Sequence, residues 1–218
     1  MNNNILFLPV SLGEAIDKLT ILDIKYDKIK DNRKNEVKIE FDMLYDKLKD
    51  FVEKYNMYYK IMKQINLDIW IMMDILRDSN ISNEDYLVKC KECIEANDIR
   101  FRIKNKINFV SNSVLKEQKG YNVLRVVFDI TKYIIGKKDL YNIIKYYSFL
   151  YDELIILCNE DNINILNNEF EYDPTILIYS EYNGDYKKMI SFSEKNINQI
   201  YNELNIDNKI IENYFVYL

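Results

Sequence analysis

Four glycines and two prolines in 218 residues leave this backbone few places to turn sharply or to adopt left-handed conformations. A sandwich or barrel of many short strands needs such residues at every hairpin, so the scarcity disfavours an all-β fold. It favours long, rarely interrupted helices. With 48% hydrophobic residues the chain carries enough apolar surface for a real core, which argues against disorder as the dominant state. The length fits one large or two small domains. The abundance of Asn, Ile, Lys and Tyr suits an A/T-rich genome, such as that of a large DNA virus or a low-GC bacterium, and carries no chemistry.

Helical periodicity is clear over the first half. Ser11-Leu12-Gly13-Glu14 reads as a capping box, with the serine oxygen and the Glu14 carboxylate satisfying orphan amides of a helix that starts at Leu12. Leu12, Ile16, Leu19, Leu22, Tyr26 and Ile29 form its core stripe up to about Lys30. After a turn at Asp31-Asn32-Arg33, a second helix over about Lys34 to Lys54 turns Val37, Phe41, Leu44, Leu48 and Phe51 inward. A third, over about Met57 to Asp78, packs around Ile61, Ile65, Ile69, Trp70, Met73 and Leu76. Ser82 to Asp85 caps a fourth, which runs to about Asn112 with Leu87, Cys90, Ile94, Ile103, Ile107 and Val110 facing the core. Four antiparallel helices are the simplest packing. Glu14, Lys18 and Lys25 on the first helix and Asn97, Arg100, Lys104 and Asn108 on the fourth form ridges suited to meeting across such a bundle.

Beyond Gly120 the pattern changes to strand, helix, strand. Val123 to Ile130, Glu153 to Cys158 and Pro174 to Tyr179 read as strands, Leu140 to Leu150 and Asn162 to Phe170 as helices, and Phe192 to Leu204 as a closing helix. That order predicts a parallel sheet. The expected class is α+β: an N-terminal antiparallel helical bundle over residues 1–120 and a small Rossmann-like α/β unit over 121–218 with a short parallel sheet.

Charge and residue usage narrow the chemistry. A net charge of −5 with interspersed signs offers no basic block for a phosphate backbone, so nucleic acid is not the expected partner. The opening MNNNILFLPV has no charged leader and no apolar run spans a bilayer, so a cytoplasmic location is expected, in the host if the source is viral. Histidine is absent, which excludes Ser-His-Asp and Cys-His catalysis and removes the commonest metal ligand. Cys90, Cys93 and Cys158 are odd in number, and Cys90-x-x-Cys93 has no second pair for zinc. Neither a Walker loop nor G-x-G-x-x-G occurs, so no cofactor is called for.

The opening from Val10 to Lys25, the stretch Trp70 to Arg77, the run Ala96-Asn97-Asp98-Ile99-Arg100 with Ile103-Lys104 and Ile107-Asn108, and Lys116 to Tyr121 together resemble an uncharacterised helical family of short bacterial and phage proteins. The resemblance covers residues 10 to about 121. It implies a neighbourhood rather than a reaction, since members occur alone or beside glycosyltransferase and sugar-modifying modules. Asp139 to Ile178, above all Tyr146 to Cys158, resembles the N-terminal Rossmann-like half of two-domain glycosyltransferases. There a Gly-Asp turn precedes the helix. Here Gly136-Lys137-Lys138-Asp139 displaces that glycine, and the chain has no room for a second half, so a complete glycosyltransferase is not expected. Gly184-Asp185 reads as a plain turn.

Glu14, Asp17, Lys18, Asp74, Arg77, Asn97, Asp98, Arg100 and Lys104 are the candidate site residues. They suit two arrangements. One is a pocket for an anionic or polyhydroxylated ligand, with Arg and Lys pairing to phosphate and a carboxylate as base. The other is an inter-helix network of ion pairs and hydrogen bonds. The functional classes are therefore a non-catalytic module that binds a protein partner or a nucleotide sugar, a small enzyme of phosphorylated sugars or nucleotide sugars, and a viral structural protein, oligomeric or presenting an apolar patch. A closed network favours the module and an open cavity the enzyme.

Overall fold

The computed structural model describes residue 6 and residues 8–120, 122–133 and 138–192. Helices α1 (Leu12–Lys28), α2 (Arg33–Lys54), α3 (Asn56–Leu76) and α4 (Asn83–Val110) precede a strand-rich unit. That unit contains β1 (Arg125–Asp129), α5 (Lys138–Leu150), β2 (Glu153–Leu157), α6 (Glu160–Glu169), β3 (Ile176–Tyr179) and β4 (Lys188–Ser191). The architecture is α+β, helical first and then a small parallel sheet.

The helices start where polar caps allow. Ser11 is extended and its hydroxyl accepts the Glu14 amide at 3.2 Å, while Ser82 does the same for the Asp85 amide at 3.0 Å. Only the serine half of the expected capping box forms at α1. The Glu14 carboxylate is drawn instead to Lys104 across the bundle. Helices α2 and α3 are joined through Tyr55 alone, whose φ of −120° and ψ of 44° break the helical path without a loop. Antiparallel packing is clearest between α3 and α4. Tyr55 donates to the Val110 carbonyl at one end, Arg100 to Asn66 midway, and the Cys93 and Met73 sulfurs lie 3.9 Å apart near the other.

Ile16, Leu19, Leu48, Ile61, Met62, Ile65, Ile99, Ile103 and Ile107 form the bundle core, and Tyr146 and Phe149 of α5 join it. Two residues placed inward by the sequence pattern face solvent: Leu87 is 62% exposed and Ile94 is 64% exposed. Helix α4 carries two apolar stripes. The core takes the one through Ala96, Ile99, Ile103 and Ile107, which leaves Leu87 and Ile94 outside. Trp70 is half-buried rather than central.

All four strands are parallel in the order β3-β2-β1-β4. The central strands are buried on both faces, as their continuous apolar runs require: Val126, Val127, Phe128, Leu154, Ile155 and Ile156 are fully enclosed. Strand β4, which pairs Met189 with Val127, was not legible as a strand, because Lys188-Met189-Ile190-Ser191 is short and largely exposed at the sheet edge. The closing helix expected over Phe192 to Leu204 lies outside the described residues from 193 onward, as do Gly136 and Lys137.

The helical and strand-rich parts meet through buried charge. The Lys106 ammonium, 1% exposed, donates to both oxygens of Asp173, at 2.6 Å for Oδ1, and to the Thr175 hydroxyl at 2.7 Å. Beside it Arg102 donates to Asp152 Oδ1 at 3.1 Å and to the Phe149 carbonyl at 3.3 Å. Burial pushes the Lys106 ammonium below its usual range, against the pull of Asp173.

Candidate functional site

The first turn of α1, the middle of α3 and the C-terminal half of α4 enclose a polar seam. Its geometry begins with Gly13. That residue sits so close to α4 that a β-carbon added to it would lie 2.5 Å from the Lys104 carbonyl oxygen and 3.0 Å from Asn108 Oδ1. The approach lets the Gly13 amide donate to Asn108 Oδ1 at 2.7 Å and the Leu12 amide to the Ser113 hydroxyl at 3.2 Å. With the Glu14 amide held by Ser11, the first three amides of α1 are all satisfied by side chains. This helix terminus therefore presents no free donors to an anion.

The charged part lies next to it. Lys104, whose side chain is 8% exposed, donates to Glu14 Oε1 at 2.6 Å and pairs on its other side with Glu117. The Lys104 hydrogen bond holds the Glu14 carboxyl below its usual range. Burial alone would lower Lys104, but its hydrogen bonds to Glu117 and Glu14 outweigh that and raise it. Deeper in, Asn66 donates to Asp17 Oδ1 at 2.7 Å and to the Thr20 hydroxyl at 2.9 Å. Arg100 reaches Asn66 Oδ1 at 3.5 Å, and its charge also lowers Glu14. Glu14 and Glu117 pair with Lys104, whereas Arg100 has no carboxylate partner among the described residues, and its Nε and the Asn108 Nδ2 are buried donors without a hydrogen-bond partner.

Of the residues singled out from sequence, Glu14, Asp17, Arg100 and Lys104 converge in this seam. Asp98 pairs with Lys119 at 2.7 Å from the segment that follows α4. The others point outward. Lys18 pairs with Glu40 on α2 at 2.6 Å, Asp74 and Arg77 pair with each other at 3.4 Å, and Asn97 is exposed. Position along α3 explains the Asp74 and Arg77 result, since the Asn66 turn faces α1 whereas Asp74 and Arg77 stand exposed at the helix end.

Sequence reasoning missed Gly13, Asn66 and Glu117 as members of the seam. Asn66 had a visible signal, an amide among Met62, Ile65 and Ile69 on an otherwise apolar face. Glu117 had none, because it lies in a segment without helical or strand periodicity.

Cys90 and Cys93 are half-buried free thiols and Cys158 is a buried one; burial raises the Cys93 thiol. Among the described residues no group of three Cys, Asp or Glu side chains is placed to hold a metal ion. Nor does any described helix have the length and apolarity to cross a membrane. The Gly184-Asp185 bend is closed by the Tyr182 hydroxyl donating to the Asp185 carbonyl at 3.2 Å.

The seam joins the two ends of one recognisable unit, from the first turn of α1 to Glu117. A family profile, the family of unknown function DUF6165, matches residues 7–136. The chain belongs to that family. The match spans all four bundle helices and β1, so the Gly13, Asn66, Lys104 and Glu117 seam lies inside the DUF6165 region and β2 to β4 lie outside it. It brings no activity and no link to glycosyltransferases. No curated protein and no solved structure matches the chain.

Proposed function

We propose that this DUF6165 protein is a non-catalytic binding or assembly module that acts in the cytoplasm beside glycan- or sugar-nucleotide-modifying enzymes. The observation that supports the non-catalytic reading is that the carboxylates of Glu14 and Asp17 and the Lys104 ammonium are all taken up by partners inside the seam. Lys104 is enclosed between Glu14 and Glu117, Asp17 is taken up by Asn66, and the α1 amides are capped. A general base must be free to reach a substrate proton, and both seam carboxylates of α1 are already engaged; the unpartnered donors of the seam, Arg100 Nε and Asn108 Nδ2, are the groups that ligand measurements probe. Glu14, held ionised by Lys104, is moreover poorly suited to act as a general acid near neutral pH. The glycan-related setting rests on the family resemblance alone.

Thermal-shift measurements with nucleotide sugars, nucleotides and sugar phosphates test this reading, because a ligand selective for the folded state raises the melting temperature. The expectation is no shift that depends on Arg100 or Lys104, together with a lower melting temperature for Arg100→Ala in the absence of ligand. A ligand-induced shift abolished by Arg100→Ala or Lys104→Ala, with the unliganded stability unchanged, would overturn it in favour of an enzyme pocket.

A further inference from the structure

A cluster of sulfur stands at the end of the α3–α4 pair far from the Tyr55 junction. Met73 lies in the last turn of α3, and Cys90 and Cys93 lie in the first half of α4. The Cys93 thiol approaches the Met73 thioether to 3.9 Å. Cys90 precedes Cys93 by three residues, a spacing that makes the two side chains neighbours on one strip of helix surface, with β-carbons about 5–6 Å apart. Rotation about the Cα–Cβ bonds brings the sulfurs closer still. Both thiols are free and half-buried, and so is the Met73 side chain. The three sulfurs are therefore held by packed helices while keeping part of their surface in solvent.

Two thiols and a thioether are a donor set that few metals suit. Zinc in a closed protein site takes four ligands from Cys, His, Asp and Glu. The chain has no histidine, and among the described residues no carboxylate joins these thiols to make a group of three. Iron–sulfur clusters are held by four cysteines, and the chain has three. Magnesium and calcium take oxygen ligands. Thiolate and thioether together select a soft cation, copper in its Cu(I) state.

The distance fits such an ion. Two sulfurs each about 2.3 Å from one metal, in a trigonal plane, stand about 4 Å apart. Cys93 and Met73 already stand at 3.9 Å, so neither helix has to move for that pair to share an ion. Cys90 supplies the third ligand from the adjacent turn. Ionised Cys90 and Cys93 repel each other, and a cation between them removes that repulsion.

We propose that Cys90, Cys93 and Met73 bind one Cu(I) ion in a three-sulfur site that links the end of α3 to α4. Binding releases both thiol protons to solvent and leaves the oxidation state of copper and of sulfur unchanged. The site uses no residue of the α1–α4 seam, so it stands or falls apart from the module reading.

Competition against the chromophoric Cu(I) chelator bicinchoninate, with the full chain kept reduced and free of oxygen, tests it. One equivalent of Cu(I) per chain is expected to leave the chelator. Cys90→Ser and Cys93→Ser should each weaken binding by more than the roughly tenfold to hundredfold that losing a hydrogen bond to a metal ligand costs. Met73→Leu, which keeps an apolar side chain of similar size, should weaken it by a smaller factor, and Cys158→Ser should leave it unchanged. X-ray absorption at the copper edge reads the ligands directly in the parent chain, whatever the stability of the variants: three sulfur neighbours at about 2.3 Å are expected. The proposal is overturned if the chelator keeps its Cu(I), or if Cys90→Ser and Cys93→Ser bind as tightly as the parent. It is overturned equally if nitrogen or oxygen takes the place of the third sulfur, or if Zn(II) displaces the bound Cu(I).

Discussion

Replacing Gly13 by alanine adds one methyl group at the tightest point between α1 and α4. In most helices that exchange stabilises, by roughly 0.5–1 kcal/mol, because glycine loses more backbone entropy on folding. Here the new β-carbon would stand 2.5 Å from a backbone oxygen, that of Lys104, and 3.0 Å from Asn108 Oδ1. A backbone carbonyl inside a helix cannot swing away as a side-chain tip can, so α1 has to retreat from α4. Retreat lengthens the 2.7 Å bond from the Gly13 amide to Asn108 Oδ1 and the 2.6 Å contact between Glu14 and Lys104. Overpacking costs about 1–3 kcal/mol and the loss of a buried hydrogen bond about 1–1.5 kcal/mol. Set against the helix-propensity gain, the net destabilisation is about 1–4 kcal/mol. For a chain of this size that lowers Tm by roughly 2–16 °C. Urea denaturation followed by far-UV circular dichroism measures it directly. Gly120→Ala is the control, since a β-carbon there meets nothing within 4 Å and no penalty is expected. If Gly13→Ala is as stable as the parent, or more so, helix propensity has won and the close approach is not a constraint.

Three further perturbations probe the charged groups. Arg100→Ala should destabilise by about 1–2 kcal/mol, because the side-chain carbonyl of the buried Asn66 loses a donor; unchanged denaturation would mean that Arg100 has no structural role. Lys106→Ala strands the Asp173 carboxylate at a buried interface and should cost about 3–5 kcal/mol, whereas Lys106→Met combined with Asp173→Asn, which keeps the acceptor for Thr175, should recover most of that loss. A double variant no better than the single one in chemical denaturation would show that the pair does more than neutralise itself. The acid limb of stability should depend on Glu14. Its folded carboxyl titrates below the ordinary value of 4.5, so its contribution is fully present above that pH and disappears as pH falls through the lower folded value. Glu14→Gln should flatten this limb of a melting-temperature profile, and an identical slope would refute the coupling to Lys104.

The helical half was legible because caps and periodicity agreed. Ser11 and Ser82 start their helices, and the stripes through Ile16 and Leu19, through Ile61 and Ile65, and through Ile103 and Ile107 are buried. Periodicity fails where a helix has two apolar faces. Along α4, Leu87 and Ile94 repeat as regularly as Ile99 and Ile103, and only the positions of α1 and α3 decide which face is covered. The parallel sheet was legible in β1 to β3 from their β-branched runs. Strand β4 was not, since its place beside β1 comes from backbone pairing that four mixed residues do not announce.

The seam shows a different limit. Its members were individually conspicuous as charges at helical spacing, yet spacing on one helix cannot distinguish Lys104, which turns toward α1, from Asn97, which turns toward solvent. What selects among them is the depth to which α1 settles against α4, and that depth is set by the one residue in the α1 cap without a side chain. Gly13 brings the α1 backbone within reach of Asn108, and this approach carries Glu14 to Lys104. Lys104, enclosed by burial, then holds Glu117 from the segment after α4. A glycine that reads as neutral in a helical pattern thus fixes an ion-pair network over ninety residues away in sequence. For this reason Gly13→Ala, rather than the loss of any single charge, is the substitution that should disturb the whole seam at once.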